Sequence, residues 1–168
     1  MKISRRAFVS AAAASPVLLG ASGAFAHVSR APVLKLAVIG CGGRGTGALF
    51  NAISASKSSG CTIEVVALGD LFAEKAISAN NALTEQGMKS VSADRLFSGF
   101  EAYKQVCATD CDIVILATPP GFRSIHFKEA TLMRKHVFCE KPVAVDAPGI
   151  RRFLESAALS RSMNLKVV

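Results

Sequence analysis

The sequence predicts an α/β protein in which a parallel sheet carries helices on both faces. Three observations predict it. Apolar runs of strand length alternate with stretches of helical periodicity from residue 33 to residue 168, five glycines crowd the ten positions "VIGCGGRGTG" where the first run ends, and glycine or proline breaks mark the later joints. Strands that alternate with helices in this way are joined by right-handed crossovers.

Each element has its own justification. "VLKLAVIG" (33–40) is an apolar run expected of a buried strand, "GALFNAISASK" (47–57) has helical spacing, and "CTIEVVALGD" (61–70) is a second strand. "LFAEKAISANNALTEQ" (71–86) is a longer helix stopped by Gly87. A looser stretch to Arg95 leads to a short strand "LFS" (96–98), a helix "FEAYKQVCA" (100–108) and a fourth strand "CDIVILAT" (111–118). Pro119-Pro120-Gly121 breaks the chain before a helix "FRSIHFKEATLMRK" (122–135), a strand "HVFCE" (136–140), a helix "DAPGIRRFLESAALSRS" (146–162) and "LKVV" (165–168), the start of a sixth strand. Six strands in this alternation match a doubly wound, Rossmann-type dinucleotide-binding domain over 33–168.

Residues 1–26 read as a removable leader. A basic start (Lys2, Arg5, Arg6) precedes a modest apolar stretch, and Ala24-Phe25-Ala26 has the small-x-small form of a cleavage site. Ser4-Arg5-Arg6-Ala7-Phe8-Val9 resembles a twin-arginine export signal, although Ser10 stands where such signals often carry Lys. Pro16, Gly20 and Gly23 argue against a helix of the mature protein. The expectation is export to the periplasm by a route that carries proteins already folded, which suits a protein that loads its cofactor first.

Composition excludes several classes. No run of 18 or more apolar residues is present, so no integral membrane segment is expected. Three of the 20 basic residues fall in the leader, which leaves 17 against 12 acidic residues without a dense basic run, so no nucleic-acid partner is expected. The five cysteines contain no Cys-x-x-Cys pair and no nearby His completes a zinc site, so no metal is expected and most are assigned to the core.

The glycine loop carries the chemistry. In Gly40-x-Gly42-x-x-Gly45, Gly40 allows the tight turn, Gly42 lets a pyrophosphate approach the backbone, and Gly45 permits close helix–strand packing. The helix N-terminus behind the loop offers free N–H donors to phosphate oxygens. Gly43 adds slack, and Arg44 is either a further phosphate contact or simply exposed. Asp70, at the end of the second strand, is placed to bond the adenine ribose hydroxyls and to repel a 2′-phosphate, which favours NAD over NADP. It also precedes "LFAEKA" and could serve as a helix N-cap. Its distance from the loop exceeds the usual interval of about 20 residues, which a Ser/Lys/Gly-rich insertion at 54–60 would explain.

Glu140-Lys141-Pro142 falls at the carboxyl end of the fifth strand, the edge where ligands gather in an open parallel sheet. A Lys ammonium there can donate to a substrate hydroxyl and exchange a proton; on chemistry alone, a surface Lys paired with Glu140 is the plainer expectation.

The combination of "GCGGRGTGA", "ATPP" followed by His126, and "KHVFCEKPVAVD" resembles the Gfo/Idh/MocA oxidoreductases, the family of glucose-fructose oxidoreductase and inositol dehydrogenase, over about residues 33–168. The resemblance implies a sugar or polyol substrate, with Lys141 between nicotinamide and substrate as the catalytic residue, Pro142 shaping the turn, often with a cis bond, and Thr118, Pro119 and Pro120 bordering the cofactor. His126 matches a His common on the next helix, where a packing role is the plainer expectation. Members of the family carry a second α/β domain that builds the sugar pocket and often the oligomer interface, together with a downstream Asp and His. This sequence ends where that domain should begin. The chain is therefore expected to hold NAD without completing hydride transfer alone, and to associate through uncovered apolar surface, with a homo-oligomer possible for a full-length form. Two readings stand beside a sugar dehydrogenase: an NAD-dependent glycosidase of the same superfamily, and a non-catalytic nucleotide-binding module.

Overall fold

A computed structural model describes residues 32–168. The leader expected over 1–26 lies outside the described residues. Five parallel strands form one sheet: β1 (Val33–Ile39), β2 (Thr62–Asp70), β3 (Leu96–Ser98), β4 (Ile113–Leu116) and β5 (His136–Cys139), in the order β3-β2-β1-β4-β5. The helices between and after them are α1 (Gly43–Ser58), α2 (Ala73–Glu85), α3 (Ala102–Cys107), α4 (Pro120–Leu132) and α5 (Ala147–Ser162), with a 3-10 turn at Ala93–Arg95.

Strand β1 lies between β2 and β4 and shows why the sheet needs cover on both sides. Leu36 and Val38 join Leu49 and Ile53 of α1 and Leu83 of α2 in one core, whereas Ala37 and Ile39 join Val106 of α3 and Phe127 of α4 in the other. The alternation follows from the two-residue period of a strand. Each fully buried Leu, Ile or Phe contributes about 1.5–3 kcal/mol by leaving water.

Three boundaries differ from the sequence reading. Helix α1 starts at Gly43, so Gly43, Gly45 and Gly47 all lie inside it. Its far end reaches Ser58, so most of the stretch taken for an insertion is the last turn of this helix. Helix α4 starts at Pro120 itself; the break is a helix start, because proline at the first helical position gives up only an amide that lacks a partner there. Of the expected sixth strand only one parallel bridge, Val137 to Val167, is formed. Lys166 and Val168 accept backbone bonds from Val137 and Cys139, which places this segment outside β5 and continues the doubly wound order.

The order of strands reverses between β1 and β4. Beyond their carboxyl ends a crevice opens, since the helices that follow leave to opposite faces of the sheet.

Candidate functional site

The crevice is built first by glycines that no other residue can replace. Gly40, straight after β1, has φ 96°, and a Cβ there would stand 2.7 Å from the Ala117 carbonyl carbon and the Thr118 nitrogen. A Cβ on Gly45 would lie 1.8 Å from the Gly40 oxygen, so α1 passes directly against the turn. Gly42 and Gly43 differ: a Cβ at either meets nothing within 4 Å among the described residues. Gly42 is the N-cap of α1 and supplies no capping side chain, and the amide of Thr46 is bonded to the Gly42 oxygen at 2.9 Å. The amides of Gly43, Arg44 and Gly45 precede it and, by helix geometry, have no carbonyl within the helix to bond. Donors, positive helix end and open space coincide at one place.

Asp70 ties this loop to β2. Its Oδ2 accepts from the Cys41 amide at 2.7 Å, and its Oδ1 accepts from the Phe72 amide at 3.1 Å. The N-cap of α2 is Phe72, so Asp70 is not the cap that its sequence position allowed; it closes the turn before the helix. A carboxylate has about four acceptor positions, so two stay free for hydroxyl donors. Cys41 itself is buried beside this carboxylate, and burial first, then the Asp70 charge, pushes its thiol up to about 12. Burial likewise raises Cys107 to about 12 and Cys139 to about 11, which keeps these thiols neutral. Among the described residues no group of His, Cys, Asp and Glu is arranged to hold a metal.

A cleft of about 210 Å³ brings together Gly40, Asp70, Thr118 and Pro119. Pro120 is not on its wall. The sequence reading missed the aromatic residues that complete it: Phe72, Phe100, Tyr103 and Phe122. Phe72 and Phe100 are 55% and 69% exposed, a high value for such side chains, so this part of the cleft presents an apolar surface. His126 also lines the cleft. Its ring stacks on Tyr103 at 4.4 Å between centroids, and Nδ1 lies 3.1 Å from the Thr118 hydroxyl. Burial lowers its pKa to about 4, so the imidazole is neutral near pH 7. The expected packing role is thus joined to a place on the cleft wall.

Glu140, Lys141 and Pro142 follow β5, with the Lys141–Pro142 bond cis. The Glu140 amide donates to the Leu116 carbonyl at 3.0 Å and its carboxylate is buried. Oε1 receives both Nε and Nη2 of Arg44, each at 2.7 Å, and this guanidinium holds the Glu140 carboxyl below its ordinary range. Arg44 is exposed and spends two donors on Glu140, a buried carboxylate that is a strong acceptor at hand. One expectation is corrected here. Glu140 consequently does not pair with Lys141, which is exposed and makes no ion pair among the described residues.

Residues 34–165 match the model of the Gfo/Idh/MocA oxidoreductase family, which has an NAD-binding Rossmann fold. The chain belongs to this family. Among Gfo/Idh/MocA relatives, a glycosyl hydrolase family 109 protein of Streptomyces niveus is 34% identical over 79% of the chain, and an inositol 2-dehydrogenase of Klebsiella pneumoniae is 29% identical over 73%. The aligned parts are 26% and 33% of those proteins, so this chain spans about a quarter to a third of the relatives it matches. A solved myo-inositol dehydrogenase of Lactobacillus casei, in complex with NAD(H) and myo-inositol, superposes with a TM-score of 0.59 at 22% identity, over 74% of this chain and 33% of that one. The likeness establishes the shared fold.

The residues present fit a dinucleotide. The open positions at Gly42 and Gly43 and the uncapped start of α1 suit a diphosphate, Asp70 retains acceptors for a ribose, and the aromatic cleft suits a flat base.

Proposed function

We propose that this chain is the nucleotide-binding part of an NAD-dependent oxidoreductase acting on a sugar or polyol by hydride transfer. One observation carries the reading: the uncapped N-terminus of α1 faces open space at Gly42 while Asp70, bonded to the same loop, keeps free acceptors. NAD, when bound, supplies the hydride acceptor. The amides of Gly43, Arg44 and Gly45 bind phosphate oxygens. Asp70 orients the ribose by accepting from its hydroxyls, and its charge disfavours a 2′-phosphate, which favours NAD over NADP. Thr118 and Pro119 border the cofactor, and neutral His126 holds the Thr118 hydroxyl in place. Lys141 holds a substrate hydroxyl at Nζ and exchanges its proton there. The matched part is 26% and 33% of those relatives, and we assign substrate selection and any self-association to what lies beyond it in them.

Calorimetric titration of the 168-residue chain with NAD tests the reading. Saturable binding that beats NADP supports it; no binding of either overturns it. The name of the Streptomyces niveus relative favours a second reading, a glycosidase that uses NAD without net turnover. Release of free sugar without accumulation of NADH would select this second reading.

A further inference from the structure

The segment bearing Lys141 is held on both sides by arginines that come from the two helices flanking the crevice. On one side Glu140 receives Arg44, from the first turn of α1, at 2.7 Å. On the other side the carbonyl of Pro142 receives Nη1 of Arg123, from the start of α4, at 2.6 Å. Arg123 is only 5% exposed and spans 19 residues of sequence to make this bond, and its Nε is buried without a partner among the described residues. A buried guanidinium that leaves a donor unpaired is costly. A hydrophobic residue would fill the same space without that cost, so what the guanidinium adds is the bond to Pro142. The backbone just before each arginine belongs to the crevice: the glycine loop precedes Arg44, and Thr118 and Pro119 precede Arg123.

We propose that Arg123 and Arg44 are positioning residues that clamp the Glu140–Pro142 turn and present the Lys141 ammonium to the nucleotide crevice. The inference rests on the reading of the crevice as an NAD site. Arg123 works through one donor, since its Nε is unspent, so a lysine at 123 can replace it where an apolar chain of similar length cannot.

Lysine acetylation by an N-hydroxysuccinimide ester, read by peptide mass spectrometry on the whole chain, tests the clamp. Each variant is labelled without NAD and at an NAD concentration that saturates its own isotherm, with Lys57 and Lys128 as internal controls. The wild-type chain is expected to lose Lys141 labelling about tenfold on NAD addition, as a locally protected site does. Arg123→Met is expected to abolish most of this protection and Arg123→Lys to restore it. Arg44→Ala, which strips the buried Glu140 carboxylate of its partner and is compared at a temperature where its melting curve shows it folded, is expected to reduce it as well.

Full protection in both Arg123→Met and Arg44→Ala overturns the clamp. So does failure of Arg123→Lys to restore protection when it melts like the wild type. Binding of NAD without any change at Lys141 in the wild type removes the placement of the lysine. Absence of NAD binding is the separate outcome that removes the nucleotide reading and the clamp with it.

Discussion

His126 shows how one residue can carry packing, polarity and a pH response together. Burial holds its folded pKa at about 4, against an unfolded value of 6.5. Between those values the unfolded chain binds a proton that the folded chain refuses, so stability rises with pH across the window. The contribution is complete above the unfolded value and is lost as pH falls toward the folded one. Going from pH 7 to pH 5 is expected to cost the wild type about 2 kcal/mol through this group. His126→Gln keeps a polar partner for Thr118 and is expected to flatten that part of the pH dependence of the melting temperature. An unchanged slope in the variant would show that other groups set it. From sequence, His126 could be placed on its helix, but its stacking on Tyr103 depends on how α3 and α4 meet, which no local pattern encodes. The partner of Arg44 was hidden for the same reason: Glu140 lies 96 residues away, and only the parallel sheet brings the two together.

At the scale of elements, the glycine loop separates two demands that the motif merges. Gly45 is needed by the fold, and we propose that Gly42 is needed by the ligand. Gly45→Ala puts a methyl group 1.8 Å from a backbone oxygen, where nothing flexible can yield. It is expected to cost at least about 1–3 kcal/mol in denaturant unfolding, as overpacked sites do. Gly42→Ala meets no atom of the described residues within 4 Å and is expected to melt within about 2 °C of the wild type. Its NAD affinity is expected to fall at least about tenfold, a loss of about 1.4 kcal/mol of binding. Equal NAD affinity in Gly42→Ala and the wild type would mean that the diphosphate lies elsewhere. The alternation of strands and helices was legible because apolar periodicity is a local signal. Helix starts were not. Glycine and proline read as breakers, yet Gly43 and Pro120 begin helices because the first turn asks little of their missing Cβ or amide.

For the molecule as a whole, two cores on opposite faces of one sheet make the crevice a by-product of the winding order. The sequence announced this architecture through its order of motifs. It did not announce the short reach of the last segment, whose contact with β5 amounts to one bridge beside a few backbone bonds. We propose that Arg5 and Arg6 commit the folded protein to the twin-arginine route; replacing both by Lys is expected to leave it in the cytoplasm when periplasmic and cytoplasmic fractions are compared. Undiminished export of that variant would assign the leader to another pathway.

The bond from the Cys41 amide to Asp70 bears on any attempt to redesign coenzyme preference. Trimming that acid to make room for a bulkier nucleotide would also strip the glycine turn of its anchor on the neighbouring strand. A successful swap would therefore have to supply a replacement acceptor for the orphaned amide; asparagine, with one oxygen kept, can serve the Cys41 amide but leaves the Phe72 amide without its acceptor.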